Sequence, residues 1–263
     1  MPQRLLYVCL LSTVMGCASD GTLKNVSYRD TARANYAKGM DELKDDNHPE
    51  AIKYFTFVKS KFPFSRFATL AELRLADTYY AQEKYVEAID AYKLFIKFHP
   101  THPEVTGGYA SYQICRAYME QIPGDWFLVP PSHEKDQGAT KDALRELQGF
   151  VRTFKRSKYL PKVKDLYHKC LRKLADHELY VARFYLERDK PKATILRLET
   201  LLNKYPDAGV DPEVMLLLGQ TYMKLDQKKK ARETFAKLVK RYPNDGNSAK
   251  AKLYLEYLSG QRD

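Results

Sequence analysis

The sequence has few of the residues and motifs on which most catalytic sites depend. Its 263 residues include 4 cysteines, 12 glycines and 1 tryptophan. It contains no glycine-rich phosphate loop, no Gly-x-Ser-x-Gly turn and no His-Glu-x-x-His motif, each of which holds reactive groups at a fixed spacing. Carboxylates are numerous, but on surface helices they usually face solvent. The sequence therefore predicts that the protein is not an enzyme and has no catalytic residues.

The histidines do not have the spacing of a metal site. His99 and His102 lie in a proline-bounded turn, and no matching cysteine or histidine pair accompanies them, whereas a zinc site needs three or four converging ligands. His168 and His177 lie on opposite sides of a helix, because each helical residue turns the chain by about 100°. We therefore expect no metal and no cofactor apart from a covalent lipid.

Long apolar runs are absent except at the amino terminus. A basic residue lies within residues 1–4, and residues 5–15 form an apolar run that is too short for a permanent membrane span. This pattern predicts a secretory signal over residues 1–16. Because secretion separates the chain from nucleic acid, we expect no nucleic-acid partner despite the net charge of +11.

The end of this signal reads Val-Met-Gly-Cys at residues 14–17, which resembles the lipobox of bacterial lipoproteins. In such signals the cysteine carries an N-acyl and an S-diacylglycerol lipid, so Cys17 is the predicted lipidation site. Ala18 resembles the residue that directs sorting to the outer membrane. Residues 17–29 would form a lipid-anchored linker on its periplasmic side. The alternative is an ordinary signal peptide in which Cys17 is incidental.

A recurring pattern of small and large residues predicts the fold. Counted from Ala76 and from Gly219, small, aromatic or leucine residues and a final proline recur at offsets +3, +12, +16, +19 and +24. This is the tetratricopeptide pattern of two antiparallel helices that meet at a small residue. Because one such unit cannot bury its apolar face alone, units stack into a solenoid that binds other proteins.

Three further, less regular copies raise the expected number of units to five in an all-α solenoid. Repeats one and two occupy residues 30–104, and repeat three occupies residues 105–159 with an insertion at residues 121–137. Repeats four and five and a carboxy-terminal capping helix, with Ala251, Leu255 and Leu258 on one face, occupy residues 160–263.

Two cysteines, Cys115 and Cys170, remain in the predicted repeats. Cys115 occupies the small-residue contact position, so we expect a buried thiol there, as is usual for free cysteine. A disulfide between the two stays open as an alternative, because the sequence does not show whether their Cα atoms lie within bonding range.

The charge is divided unevenly along the predicted mature chain. Residues 17–140 have a net charge of −2 and residues 141–263 a net charge of +12. A basic half favours an acidic partner or an anionic surface. The alternative is that scattered lysines serve solubility alone.

The repeat pattern also predicts which side chains line the concave groove. Tyrosine offers a large contact area with a polar tip, methionine adapts to varied shapes, and arginine pairs with carboxylates. These types predict a cradle for an aromatic-rich peptide with a free terminal carboxylate. The alternative is that some of these side chains pack in the core between repeats, above all Leu73. The predicted groove residues are Arg33, Tyr36, Met40, Leu73, Tyr80, Tyr109, Tyr112 and Arg116.

Three motifs carry a resemblance to a known family. They are Phe-Pro-Phe-Ser at residues 62–65, Leu-Arg-Leu at residues 73–75 and Pro-Thr-His-Pro at residues 100–103. Together with the lipid signal and the repeats, they resemble the BamD (ComL) family, the tetratricopeptide lipoproteins of the outer-membrane β-barrel assembly machinery. The insertion departs from this resemblance around Trp126.

The resemblance implies a mechanism of binding without covalent chemistry. The front repeats would bind carboxy-terminal signals of unfolded outer-membrane proteins, the rear repeats would dock the POTRA region of a BamA-like barrel subunit, and other lipoproteins of the complex would join them. The alternative is another periplasmic tetratricopeptide lipoprotein, such as a pilus pilotin or a cell-division scaffold. For the repeat-five lysines, a solvated face is a further alternative. The candidate docking residues are Arg183, Arg188 and Arg197 on repeat four, and Lys228, Lys229, Lys230 and Arg232 on repeat five.

Overall fold

The structure, a computed structural model, describes residues 27–124 and 132–260. The predicted signal of residues 1–16, the predicted lipidation site Cys17, most of its linker and the centre of the insertion at residues 125–131 lie outside the described residues. Within the described ranges, no helix is both long and apolar enough to cross a membrane.

Helices account for all the regular structure in the described ranges. The α-helices are α1 (Ala32–Lys44), α2 (His48–Lys61), α3 (Arg66–Ala81), α4 (Tyr85–Phe98), α5 (Pro103–Thr106), α6 (Tyr109–Glu120), α7 (Gly138–Thr153), α8 (Leu160–Glu187), α9 (Pro191–Lys204), α10 (Asp211–Lys224), α11 (Lys228–Arg241) and α12 (Gly246–Gly260). A 3₁₀ turn covers Ser132–Glu134. Five helix pairs, α1–α2, α3–α4, α6–α7, α8–α9 and α10–α11, pack in sequence before α12. The predicted all-α tetratricopeptide solenoid is confirmed.

Short-range sequence sets where several helices begin. The hydroxyl of Thr31 accepts a hydrogen bond from the backbone N–H of Ala34 at 3.2 Å, and the hydroxyl of Ser65 accepts one from Phe67 at 3.2 Å. These side chains satisfy N–H groups that have no partner within the helix. Proline lies in the first turn of α2, α8, α9 and α10, where its missing N–H costs nothing.

The small residue of each repeat lets its two helices approach closely. A Cβ atom at Gly39 would lie 2.7 Å from Cε1 of Phe55 on the paired helix, and a Cβ at Gly219 would overlap the ring of Phe235. Both phenylalanines are fully buried. The offset of +16 in the sequence pattern therefore corresponds to a ring packed directly on a bare backbone.

The turn between the paired helices also repeats its conformation. Asp46, Glu83, Asp189 and Asp226 all have positive φ, between 53° and 60°, and each lies seven residues after the small residue of its repeat. Left-handed backbone is costly for residues with a Cβ, but aspartate adopts it more readily than most. Glu83 is the one residue of these four that is not an aspartate.

Helix α8 joins the third and fourth repeats. Its 28 residues span about 42 Å at 1.5 Å per residue. Cys170 packs in one core cluster with Leu147 of α7, whereas Ala182 packs in another with Leu198 of α9. One helix thus belongs to two consecutive layers of the core and holds the front and rear halves together.

Candidate functional site

The first helices of repeats two and three meet at a largely buried carboxylate, Asp77 of α3. It accepts a hydrogen bond from the hydroxyl of Tyr92 at 2.5 Å and another from the hydroxyl of Tyr109 at 2.9 Å. It also forms an ion pair with Arg74, one helical turn earlier. The hydroxyl of Tyr36 on α1 is a further partner of that guanidinium. We refer to Arg74, Asp77, Tyr92 and Tyr109 as the Asp77 network.

Burial keeps both tyrosines of this network protonated. It raises the pKa of Tyr109 to about 12, and the negative charge of Asp77 acts in the same direction. The pKa of Tyr92 is raised by the same two causes. At neutral pH both hydroxyls are therefore hydrogen-bond donors, and the carboxylate of Asp77 has three partners. The negative charge of Asp77 is therefore balanced within the protein by the positive charge of Arg74.

A second arginine, Arg116 of α6, lies at the other end of the same polar chain. The side-chain amide of Gln113 donates to the hydroxyl of Tyr109 at 2.9 Å, and Nη1 of Arg116 donates to Oε1 of Gln113 at 2.9 Å. The Arg116 guanidinium lies 4.5 Å from the ring centroid of Tyr80 and 5.9 Å from that of Tyr112. Arg116 has no carboxylate partner in the described part of the chain.

The aromatic side chains around Arg116 form a continuous patch. Tyr80 meets Tyr85 edge to face at 5.4 Å, and its hydroxyl donates to Glu120 at 3.4 Å. Burial raises the pKa of Tyr80 to about 12, with the charge of Glu120 adding to the effect and Arg116 opposing it. Tyr112 stacks on Tyr159 with ring centroids 4.7 Å apart. We refer to Tyr80, Tyr112, Arg116 and Tyr159 as the groove patch.

The structure joins four predicted groove residues by direct contacts and links Tyr36 to them through Arg74. Tyr80, Tyr109, Tyr112 and Arg116 are joined by the contacts above. The ring of Tyr36 is half-buried and lies 5.8 Å from that of Phe55 and 5.6 Å from that of Phe67. Met40 packs half-buried against the same cluster. Arg33 is exposed at the start of α1.

The prediction for Leu73 was wrong. Its side chain is fully buried and packs with Ala76 and Ala88 in the core between the second and third repeats. Leu73 lies three residues before the small residue Ala76 and faces the neighbouring repeat, whereas the next residue, Arg74, pairs with Asp77. A fully buried leucine cannot contact a peptide, so Leu73 belongs to the inter-repeat core.

Sequence reasoning missed Arg74, Gln113 and Tyr159. Arg74 and Gln113 do not occupy positions that the repeat pattern assigns to the groove. Tyr159 precedes α8, and it reaches Tyr112 only because α6 and α8 contact each other. The tyrosine-rich composition, with 20 tyrosines, was the available signal, but it does not show which rings meet.

The three predicted docking arginines each have a partner within the chain. Arg183 forms an ion pair with Glu213 of α10. Nη1 of Arg197 lies 3.2 Å from Oε2 of Glu178. The guanidinium of Arg188 lies 3.5 Å from the ring centroid of Phe184. Arg183 and Arg188 are also about 140° apart around α8, at about 100° per residue, so they do not share one face of that helix.

The basic run of repeat five divides into exposed and structural residues. Lys229 and Lys230 are exposed, and the ammonium of Lys230 lies 5.4 Å from the ring centroid of Tyr222. Lys228 is half-buried. Arg232 donates to the backbone carbonyl of Leu258 at 3.0 Å, so it fastens the capping helix α12 to α11.

The two cysteines in the described ranges are free and buried. Burial raises the pKa of each thiol to about 12. The thiol of Cys170 donates to the backbone carbonyl of Thr140 at 3.1 Å. The expected buried thiol at Cys115 is confirmed, and both side chains pack in the same core cluster without a disulfide.

The predicted turn histidines have local roles. Nε2 of His99 lies 2.7 Å from Oε2 of Glu72, and Nδ1 of His102 accepts the backbone N–H of Glu104 at the start of α5. In the described part of the chain, no group of three or more His, Cys, Asp or Glu side chains could hold a metal ion.

Comparison with known proteins relates the whole repeat region to one family. The model of the YfiO family, described as outer membrane lipoprotein, matches residues 29–238. The outer membrane protein assembly factor BamD of Neisseria meningitidis serogroup B is 26% identical over 252 residues, which cover 92% of each chain. The factor of that name from Caulobacter vibrioides is 26% identical over 239 residues, covering 90% of this chain and 75% of that protein.

Among solved structures, the chain is similar to the TPR2AB domain of yeast Sti1 in complex with pHSP90, with a TM-score of 0.46 and 15% identity over 87% of this chain and 86% of that chain. The family match and the BamD relatives confirm the family that the sequence motifs indicate. This protein belongs to the YfiO family of outer membrane lipoproteins, to which BamD is related.

Proposed function

We propose that this protein is a non-catalytic scaffold in the assembly and insertion of outer-membrane β-barrel proteins. Its relatives are named outer membrane protein assembly factors, and the family match covers all five repeats up to α11. A solenoid of helix pairs supplies extended binding surfaces rather than an enclosed reaction site. The front repeats bind an unfolded substrate, and the rear repeats dock a BamA-like barrel subunit through its POTRA region.

The substrate proposal rests on the guanidinium of Arg116, whose hydrogen-bond donors remain available. Arg74 is balanced by Asp77, whereas Arg116 has no carboxylate partner in the described part of the chain and lies over Tyr80. A guanidinium held by aromatic rings and one neutral hydrogen bond keeps donors available for an incoming carboxylate. Arg116 therefore pairs with the terminal carboxylate of the substrate.

The neighbouring rings accept the aromatic side chains of the same peptide. Tyr80, Tyr112 and Tyr159 present half-buried faces around Arg116. Such rings give a large contact area at a small cost in side-chain entropy, and aromatic anchors dominate many interfaces. An extended chain with a terminal aromatic residue places its ring on this patch while its carboxylate meets Arg116.

The rear half supplies the proposed docking surface for the barrel subunit. Its net charge of +12 over residues 141–263 favours a partner with an acidic surface. Arg183, Arg188, Lys229 and Lys230 are exposed there. The lipid on Cys17 holds the protein on the periplasmic face of the outer membrane, where it meets the unfolded substrate and the barrel subunit. Other lipoproteins of the complex bind there as well.

A double-mutant cycle, which combines a change in the protein with a change in the peptide, tests the substrate proposal. The probe is a fluorescent peptide that copies the last strand of an outer-membrane barrel, with a terminal phenylalanine and either a free or an amidated terminus. Fluorescence anisotropy would measure its affinity for the wild type, for Arg116→Gln and for the control Arg145→Gln. Arg145 is an exposed arginine of α7 that pairs with Asp142.

We expect Arg116→Gln and amidation each to weaken binding by about tenfold, and together by little more, because both remove the same charge-assisted contact. Arg145→Gln should bind like the wild type. Equal affinities for the free and amidated peptides on the wild type would remove Arg116 as the carboxylate partner. If the wild type binds neither the free nor the amidated peptide, the proposal that the front repeats bind substrate is refuted.

A further inference from the structure

A basic cavity lies beside the groove patch, between two turns that connect successive repeats, and Tyr159 belongs to both. One wall is the segment around α5, from Pro103 to Gly107, and the other is the segment from Arg152 to Tyr159 that joins α7 to α8. The cavity volume is about 800 Å³, which is within the range of small-molecule sites. We refer to it as the inter-turn cavity.

Specific contacts hold the two walls of the cavity at a fixed separation. The hydroxyl of Ser157 donates to the backbone carbonyl of Gly107 at 2.7 Å and accepts the backbone N–H of Tyr159 at 3.2 Å. Gly108 has φ of +87°, and a Cβ there would lie 3.1 Å from both Phe154 and Ser157. Only glycine adopts this conformation at low cost in such close contact. The frame of the cavity is therefore built by the fold.

Four cationic side chains line this cavity without carboxylate partners. Arg152, Lys155, Arg156 and Lys158 are all exposed. None of them forms an ion pair with any residue in the described ranges, and the ammonium of Lys158 lies 5.1 Å from the ring centroid of Tyr159. Glu104 is the one carboxylate among the described residues that line the cavity.

This arrangement differs from that of the docking arginines. Arg183 and Arg197 each have an acidic partner within the chain, so their charge is already balanced. Around the inter-turn cavity, like charges face one space, and their repulsion is relieved only by solvent, salt or an anion. Arg152 also lies in the last turn of α7, where a positive charge stabilises the helix, but the other three cations lie beyond that helix.

The start of α8 adds to the positive potential of the cavity. Tyr159 precedes the first turn, which contains no acidic residue, and no side chain caps it. The hydroxyls of Thr106 and Thr153 are also part of the lining. The cavity thus combines fixed cations, hydroxyl donors and the positive end of a long helix dipole.

We propose that the inter-turn cavity is a binding site for a phosphate group, presented either by a phospholipid headgroup or by a soluble phosphate compound. A phosphate offers several acceptor oxygens and up to two negative charges, which matches two guanidinium groups and two ammonium groups better than a single carboxylate does. Arginine pairs with phosphate through two parallel hydrogen bonds, and lysine binds it as a point charge. The site shares Tyr159 with the groove patch, but its cations are different residues and the proposal does not depend on the function of that patch.

Binding to phosphate and to vesicles tests this proposal with the full chain. Calorimetric titrations in a phosphate-free buffer would use inorganic phosphate and glycerol phosphate. Sedimentation assays would use vesicles of phosphatidylcholine alone and with phosphatidylglycerol. The pocket variant combines Arg152→Gln, Lys155→Gln, Arg156→Gln and Lys158→Gln. The control variant removes the same charge at exposed lysines elsewhere, with Lys192→Gln, Lys204→Gln, Lys240→Gln and Lys252→Gln.

We expect the pocket variant to bind phosphate at least about tenfold more weakly than the wild type, and the control variant to bind it nearly as well. Glu104→Gln should strengthen binding, because it removes the one opposing charge; this reversed sign would not follow from loss of fold. Circular dichroism would verify that every variant stays helical.

The two sources of phosphate give different results. Binding to both the soluble compounds and the anionic vesicles would identify a headgroup site, and binding to the soluble compounds alone would identify a soluble ligand. Equal losses in the pocket and control variants would show that only overall charge matters and would overturn the proposal. Absence of binding to every probe would overturn it as well.

Discussion

The carboxylate of Asp77 on α3 accepts a hydrogen bond from the hydroxyl of Tyr109 on α6, across 2.9 Å. This contact joins the second and third repeats through a largely buried charge rather than through apolar packing alone. It also keeps Arg74 occupied and leaves Arg116, farther along the same polar chain, as the arginine with available donors.

Removing Asp77 should destabilise the front half. Asp77→Ala leaves Arg74, the buried Tyr92 and the half-buried Tyr109 without their shared partner, and we expect a loss of about 3–5 kcal/mol in the free energy of unfolding. Urea denaturation followed by circular dichroism would measure it. Asp90→Ala, at an exposed position on α4, is the control and should change stability by less than about 0.5 kcal/mol. A loss as small as the control's would mean that the network is not structural.

The buried thiols should make stability depend on alkaline pH. Burial raises the pKa of Cys115 and of Cys170 from 9.0 to about 12, so the stabilisation is fully present below pH 9 and is lost as the pH rises from 9 through 12. Each thiol contributes a slope of up to about 1.4 kcal/mol per pH unit in that interval.

Comparison with a variant isolates the thiols from other groups that titrate at alkaline pH. Urea denaturation at pH 8 and at pH 10.5 would be compared for the wild type and for the double variant Cys115→Ala, Cys170→Ala. The variant starts less stable but should lose less between the two pH values. Identical losses would show that other groups account for the alkaline instability.

Two glycine positions should respond to alanine with opposite signs. At Gly39 a Cβ would lie 2.7 Å from the ring of Phe55, so Gly39→Ala should overpack the helix contact and cost about 1–3 kcal/mol. At Gly149 in α7 nothing lies within 4 Å of the added Cβ, so Gly149→Ala should stabilise by about 0.5–1 kcal/mol. Thermal and urea denaturation would measure both. A stabilising Gly39→Ala would contradict the close approach of α1 and α2.

The left-handed turn residue of repeat two offers a stabilising substitution. Glu83 has φ of 60°, as do its aspartate counterparts within a few degrees. Glu83→Asn should stabilise the protein by up to about 1 kcal/mol, because asparagine adopts this backbone region at lower cost. Glu87→Asn, at an exposed helical position of α4, should instead lower stability slightly, since asparagine is the poorer helix former. Denaturation midpoints would rank the two, and the reverse order would exclude backbone strain at Glu83.

A charge swap separates loss of the docking surface from loss of the ion pair of Arg183. Arg183→Glu with Arg188→Glu should reduce copurification of the barrel subunit by at least about tenfold while the protein stays helical. The swapped variant, Arg183→Glu with Glu213→Arg, retains an ion pair between α8 and α10 but moves the positive charge. If the barrel subunit contacts Arg183, the swapped variant should also lose copurification of that subunit. Retained copurification in both variants would place the interface elsewhere.

The repeats could be predicted from the sequence because their pattern is local. Small residues such as Gly39 and Gly219 have their phenylalanine partners 16 residues later, so the offset itself records a contact within one helix pair. The basic balance of the rear half was equally visible, because it depends only on composition. The family motifs were also short and linear.

The groove was predicted only in part, because it depends on how one repeat is rotated against the next. Leu73 and Arg74 are neighbours in the sequence, yet one is fully buried and the other meets Asp77. One residue turns a helix by about 100°, so a small change in the packing angle decides which of the two faces the groove. The repeat pattern does not contain that angle.

The sequence by itself determined five stacked helix pairs and a capping helix, because periodic small and aromatic residues leave each pair with an apolar face that only another pair can cover. The tertiary structure alone decided that Asp77 accepts a hydrogen bond from Tyr109, that Arg116 lies beside Tyr80, and that Ser157 meets Gly107. These contacts join residues of different helices and turns. They therefore follow from the stacking of whole repeats and from no local rule of the chain.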